Sequence, residues 1–379
     1  MSSRIRLGMV GGGDDAFIGE VHRIASRIDD CFELVAGAFS SSPERSHSSG
    51  LKLGIRSDRI YDNFQKMAER ESAIDCGIEA VSIVTPNHLH YEVACTFLKK
   101  GIHVICDKPL TSNLSDAENL VRVVEESSGL FMLTHNYTAY PMVRQAKEMV
   151  LNRKIGNVRL IQVEYPQEWL TEYNDSKQAD WRTDPFRSGP GGCIGDIGTH
   201  AYNLACFITG LNLESLSADI HTFVPGRLVD DNAHVLLRFA GGAKGILWAS
   251  QVAPGHENSL KIRIYGDKGG LQWSQEDPNY LWYSPLGESK RLITRNGSEA
   301  GERSQIVSRI PGGHPEGYLE AFATIYQEAA KIINENRICL QSVEESNLPS
   351  VYDGLRGMQF IDACIRSSKE DGSWIHLIN

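Results

Sequence analysis

Residues 4–10 (RIRLGMV) form a short, largely apolar run that ends directly in three glycines, Gly11–Gly13. A helical pattern follows at once, with Ile18, Val21, Ile24, Ala25 and Ile28 spaced to line one face. Strand, glycine turn and helix at the head of a chain leave few folds open. The pattern then repeats. Apolar runs at 33–39, 80–84, 102–106 and 130–134 alternate with helical stretches near 91–100 and 116–126. Strands alternating with helices predict parallel β-α-β units with right-handed crossovers.

In such a unit the glycines have a purpose. Gly11 and Gly13 allow a tight turn and let backbone approach a pyrophosphate, whose charge the following helix N-terminus favours. The spacing has two readings. Gly11-x-Gly13-x-x-Ala16 fits the dinucleotide fingerprint, and Gly19 can be the third position after an insertion; the helix starting near Ile18 favours Gly19. A Rossmann dinucleotide-binding domain over 1–136 is the expectation. Asp14 and Asp15 are expected to point away from the phosphates. The second strand usually ends in a carboxylate that holds the adenosine ribose of NAD. Here its tip reads Phe39-Ser40-Ser41-Ser42-Pro43-Glu44-Arg45, with no acid at the tip. Ser40 can hold a hydroxyl or a phosphate and Arg45 can reach a 2′-phosphate, so NAD and NADP both stay open.

The 379 residues carry 38 Lys and Arg against 48 Asp and Glu, a formal charge of −10. That balance argues against a general nucleic-acid partner. No apolar run approaches the roughly 20 residues of a membrane span, and the start has no signal-peptide core. The eight cysteines are scattered without a C-x-x-C pair and are expected to be reduced core residues of a cytoplasmic protein. No metal site is expected.

Three further segments carry more. They are Thr85–His90 (TPNHLH), Asp107-Lys108-Pro109 and Gly191–Gly210 (GGCIGDIGTHAYNLACFITG). With the N-terminal glycines, and in this order, the chain resembles the Gfo/Idh/MocA family of glucose–fructose oxidoreductases and inositol dehydrogenases. The family usually has Glu-Lys-Pro where this sequence has Asp-Lys-Pro. The residues also have a reading of their own. Lys108 follows a buried strand, and a partly desolvated lysine has a lowered pKa and can exchange protons. Asp196 and His200 stand four apart on an expected helix, hence on one face. The resemblance implies that Lys108, His200 and Asp196 are catalytic, with His200 moving the proton, and that Lys108, Trp181, Asp196 and His200 meet a sugar or polyol; Tyr137, at a strand end, reads equally as a substrate contact or as core. It also implies a cofactor surface of Gly11, Gly13, Phe17, Ile18, Ser40, Arg45, Thr85, Pro86, Asn87, His90, Asp107, Lys108 and Asn136, and a cis bond before Pro109. His88, Arg144 and His314 are secondary candidates with ordinary structural readings.

Beyond residue 152 the pattern changes. Runs at 158–165, 233–239, 245–252, 260–265 and 280–283 read as strands, with turns at 240–243 and 267–270. Helices are expected at 316–334 and 351–366. This predicts a second domain over 137–379, α+β with an open, mostly antiparallel sheet, whose last helix can pack back on the first domain. The resemblance implies that one face of that sheet makes a homodimer or homotetramer. Segments 174–178 and 297–303 read as mobile loops over the site. The expected activity is NAD(P)-dependent oxidation of a secondary hydroxyl of a sugar, inositol or related polyol. Two alternatives stand beside it: a redox-neutral, NAD-dependent glycoside hydrolase and a non-catalytic dinucleotide sensor.

Overall fold

The computed structural model describes residues 4–14, 16–174, 176–336, 343 and 346–377. Asp15 and Cys339 lie outside them. The chain divides into two compact units. One comprises Met1–Asn136 with Tyr318–Leu355, the other Tyr137–Gly317 with Arg356–Asn379.

The first unit follows the alternation of its sequence: β1 (Ile5–Gly11), α1 (Phe17–Ile28), β2 (Phe32–Ala38), α2 (Pro43–Lys52), α3 (Phe64–Glu71), β3 (Ala80–Val84), α4 (His90–Leu98), β4 (His103–Cys106), α5 (Leu114–Glu126) and β5 (Phe131–Leu133). The sheet is parallel with strand order β2-β1-β3-β4-β5. Its central strand β3, Ala80–Val84, is buried throughout because both faces are covered, and is apolar apart from Ser82. Local chemistry sets the helix starts. Ser42, Asn63 and Asn113 each accept from a backbone N–H three residues on, and Pro43 occupies a first-turn position where its missing N–H costs nothing.

The second unit holds α6 (Pro141–Leu151), β6 (Val158–Pro166), α7 (Lys177–Arg182), α8 (Pro185–Ser188), a π-helical turn (Ile194–Gly198) and α9 (Thr199–Thr209). Then come β7 (Leu213–His221), β8 (Asn232–Phe239), β9 (Lys244–Ser250), β10 (Lys261–Gly266), β11 (Gly269–Ser274), β12 (Tyr280–Pro285), β13 (Arg291–Thr294) and α10 (Glu302–Gln305). Helix α11 (Tyr318–Asn336) returns to the first unit and packs on α1, while α12 (Val351–Lys369) starts in the first unit and continues into the second, followed by β14 (Ile375–His376). The stretch expected as one domain over 137–379 is thus divided at Gly317.

Nine strands form one sheet, ordered β13-β12-β11-β10-β6-β9-β8-β7-β14. Every described pairing is antiparallel except β6 with β9. Alternation along the strands gives a buried face, with Ile161, Val163, Val235, Leu237 and Leu247, and a second face that leaves Leu160, Leu236 and Ile246 exposed. No described helix is long and apolar enough to cross a membrane.

The expected loop at 297–303 is anchored. In the 297–303 segment, Gly301 N–H donates to Gln145 Oε1 (2.6 Å) and Arg303 N–H to Glu148 Oε2 (3.0 Å), both on α6. Ser176 caps α7 through Ala179 N–H. Among the seven described cysteines four are buried, Cys31 and Cys206 half-buried, and Cys76 exposed rather than in the core.

Candidate active site

The first unit offers a surface built mainly from backbone. Gly11 and Gly12 have φ of +83° and +69°, a region side chains disfavour. A Cβ on Gly13 would stand 2.7 Å from Phe39 O, and one on Gly19 would run into Gly12 Cα. Gly19, not Ala16, is therefore the glycine that lets α1 lie against the turn. Ala16 offers no side-chain cap to α1, so the first-turn amides at Phe17 and Ile18 are left for an anion. Asp14 is tied at 2.6 Å to Lys52 on α2, which neutralises a carboxylate beside the turn. Arg23 donates to Gly12 O from behind. Ser40 Oγ accepts from Ser42 N–H, and Arg45 is exposed in the first turn of α2. No described acid stands at the tip of β2.

At the ends of β3, β4 and β5 the remaining cofactor candidates come together. Thr85 Oγ1 and Asn136 Nδ2 are buried and have no described protein partner, while Asn87 is buried behind Pro86. These are hydrogen-bonding groups of the kind a nicotinamide carboxamide or ribose needs. His90 has a different place. It is fully buried, with Nδ1 2.8 Å from Pro109 O and Nε2 3.0 Å from Thr85 O. It clamps the two loops instead of facing a ligand. Burial holds its pKa below the ordinary value, although the two carbonyls work the other way. His88 is exposed. Lys108 is half-buried, and the Lys108–Pro109 peptide is cis. The Asp107 carboxylate turns inward, accepting from Thr134 Oγ1 at 2.8 Å.

The second unit supplies side chains. Asp196 lies in the π-helical turn, not in the regular helix expected, and His200 lies in the first turn of α9. Single π-turns within helices recur at functional sites because they redirect side chains. Asp196 accepts from Gln251 Nε2 at 3.0 Å and lies 3.4 Å from Arg182 Nε. The Arg182 guanidinium sits over the rings of Trp181, at 4.3 Å, and Trp169, at 5.9 Å. His200 is 7% exposed, with Tyr137 edge-on at 4.8 Å and Tyr165 at 6.4 Å. The Tyr137 and Tyr165 hydroxyls are 2.5 Å apart, and Tyr165 donates to Asn258 Oδ1, so Tyr137 is the donor between them. Tyr137 thus walls His200 and has its hydroxyl engaged; burial raises its pKa. Trp181 faces Arg182 and is half-buried.

A residue that the sequence did not single out holds this turn. Asp230 is buried and accepts from Gly192 N–H (2.6 Å) and Ile194 N–H (2.7 Å), while Asp196 N–H donates to Gly192 O. Burial lifts its carboxyl to about 6 against those two bonds. Gln251 and Tyr165 were missed as well; their one signal is their place at strand ends. Arg144 is buried, donates to Thr138 O and lies over Phe207. His314 is exposed, and its carbonyl accepts from Arg295. No group of three metal-ligating side chains occurs among the described residues.

Residues 5–135 match the family model of an oxidoreductase family with an NAD-binding Rossmann fold, and residues 143–272 match the GFO/IDH/MocA C-terminal domain. An oxidoreductase from Sinorhizobium meliloti has a crystal structure that is 58% identical, with a TM-score of 0.91, covering 99% of this chain and 100% of that one. An inositol dehydrogenase homologue from Azotobacter vinelandii, solved with NADH and myo-inositol, is 29% identical with a TM-score of 0.92, covering 100% and 98%. The uncharacterised oxidoreductase YfiI of Bacillus subtilis is 32% identical, covering 99% of this chain and 97% of its own.

Proposed function

Because the chain belongs to the GFO/IDH/MocA oxidoreductase family, with its NAD-binding Rossmann domain, we propose that it oxidises a secondary hydroxyl of a sugar, inositol or related polyol. The observation that carries this reading is the second unit's cluster: a nearly buried imidazole walled by two tyrosines, beside a carboxylate held by an amide and an arginine. Hydroxyl-rich ligands suit such a cluster, since Asp196, Arg182 and Gln251 offer both acceptors and donors. The myo-inositol bound by the Azotobacter neighbour supports the same substrate class.

The bound nicotinamide supplies the hydride acceptor. Gly11, Gly13, Phe17 and Ile18 would hold the pyrophosphate, Ser40 and Arg45 the adenosine, and Thr85, Pro86, Asn87 and Asn136 the nicotinamide end, with Asp107 and His90 fixing the loops there. His200 takes the hydroxyl proton as the carbinol carbon is oxidised. Lys108 stabilises the developing alkoxide, and Asp196 orients the substrate. Tyr137 and Trp181 shape the pocket. In solution the chain forms a homodimer or homotetramer through the sheet face bearing Leu160, Leu236 and Ile246, and its setting is cytoplasmic.

The test is an assay of the purified protein with NAD, then NADP, against inositols, aldoses and sugar acids, following the reduced-nicotinamide absorbance. Its growth with one substrate supports the reading and names the cofactor. A flat trace with tightly bound cofactor and cleavage of a glycoside supports the redox-neutral alternative instead.

A further inference from the structure

Beneath the Lys108 loop lies a buried polar group that the activity above does not use. His22, on α1, is fully buried, and so are Ser82, in the middle of β3, and Tyr326, on α11. The three join: His22 Nδ1 is 2.8 Å from Tyr326 Oη and 3.1 Å from Ser82 Oγ, and the two hydroxyls are 3.0 Å apart. Aromatic contacts with Phe322 (5.1 Å) and Tyr326 (5.8 Å) fix the ring. The other nitrogen, Nε2, is buried without a hydrogen bond among the described residues and faces Asp107 Oδ1 at 3.7 Å, an electrostatic rather than a hydrogen-bond distance, and that same oxygen takes the Thr134 hydroxyl. With hydroxyls on its Nδ1 side and a carboxylate on its Nε2 side, the imidazole is best satisfied as the Nε2–H tautomer.

Polar groups in the middle of a parallel sheet are costly unless they are bonded. A chain that only needed to pack here could use apolar side chains. We propose that His22 is a positioning residue: backed by Ser82 and Tyr326, and with Thr134, it holds the Asp107 carboxylate ionised and in place as the counter-charge of Lys108. The proposal rests on the reading of Lys108 as the group that stabilises the alkoxide.

The surroundings support that role. Burial works to raise the Asp107 carboxyl, yet His22, Lys108 and Thr134 together bring it below its ordinary value. The other titratable groups near Asp107 and Lys108 are His90, His135, Cys106 and Tyr326, with Asp353 beyond His135. Burial lowers His90 and takes His135 to about 4, and it raises Cys106 and Tyr326. In each case burial disfavours the charged form. A carboxylate beside an ammonium favours its charged form.

The test uses the full-length protein with NAD and its best polyol, and measures kcat/KM against pH, kcat at the optimum, and NADH affinity. Asp107→Asn is expected to move the alkaline limb down by about one pH unit. His22→Phe is expected to move it the same way by about half as much, with kcat down about tenfold and NADH affinity within about twofold. If His22→Phe does not fold, Tyr326→Phe and Thr134→Val carry the test, with a smaller shift in the same direction. An unmoved limb in the folded variants overturns the proposal, because a residue that only fills space changes thermal stability and leaves the limb where it was. Lys108→Met, run alongside, separates the two readings. Full turnover in that variant removes the role of Lys108, whereas lost turnover with an unmoved limb in the His22 and Tyr326 variants removes this proposal alone.

Discussion

The glycine turn of the first unit and the π-helical turn of the second, which we propose serve the cofactor and the substrate, are built in opposite ways. The first is backbone: two positive-φ glycines, two close approaches at Gly13 and Gly19, and an uncapped helix start. Its parts lie within about ten residues of one another, so the sequence displays them together. The second is side chain. Asp196 and His200 are placed by Asp230, Gln251, Tyr137 and Tyr165, which come from separate strands and turns. A backbone site serves a ligand part that never varies, and a side-chain site can be retuned residue by residue. This division explains how one framework admits different substrates.

Replacing His200 by Ala should break the second site and spare the first. Turnover should fall about 10²–10⁴-fold, the usual worth of a positioned acid or base. NADH affinity, measured by fluorescence titration, should stay within about twofold. Gly19→Val should do the reverse: its branched side chain would collide with Gly12. Cofactor affinity should fall by about a hundredfold, or roughly 3 kcal/mol. Equal loss of both properties in either variant would erase the division.

Acid should also act on the two units with opposite signs. His135, in the first, is lowered by burial to about 4. Its folded-state pKa lies below the unfolded value, so it adds stability above about pH 6.5 that is lost as pH falls towards 4. Asp230, in the second, is raised by burial to about 6. Its folded-state pKa lies above the unfolded value, so its contribution is full below about pH 4 and is lost as pH rises through 6. Between pH 7 and 5 the first effect costs about 2 kcal/mol and the second returns about 1 kcal/mol. Amide exchange of each unit at the two pH values reads this directly, and His135→Gln and Asp230→Asn should flatten their respective responses. The smallest effect is at a helix cap. Asn113→Ala removes the bond to Asp116 N–H and should cost about 1 kcal/mol in denaturant unfolding with kcat unchanged.

The fold was legible where period and punctuation agree. Residues 80–84 read as a strand and form one, and the glycines marked the first turn. The resemblance drawn from TPNHLH, DKP and the 191–210 segment led to the family that the matches show. Strand β11 was hidden because it begins at Gly269 and Gly270, which read as a turn; a Cβ at Gly269 would stand 2.8 Å from Ser284 O on the neighbouring strand. Strand β7 was hidden by its polar residues, Glu214, Ser215, Ser217 and Asp219. The π-turn at Asp196 has no signature in residue spacing. Asp230 and His22 were invisible for another reason: their meaning lies in partners 36 and 304 residues away, and such distances carry no local pattern. Arg144, read as a candidate for an anion or a surface carboxylate, is buried and donates to the Thr138 carbonyl.

The most direct test of the account follows the hydrogen itself. A polyol substrate found by the absorbance assay, carrying deuterium at the carbinol carbon, is incubated with NAD and the protein, and the recovered dinucleotide is examined by mass and NMR. The account predicts one deuterium per reduced nicotinamide, delivered to a single face of the ring. Reduced dinucleotide without the label, or cleavage of a glycoside with no net reduced dinucleotide, would contradict it.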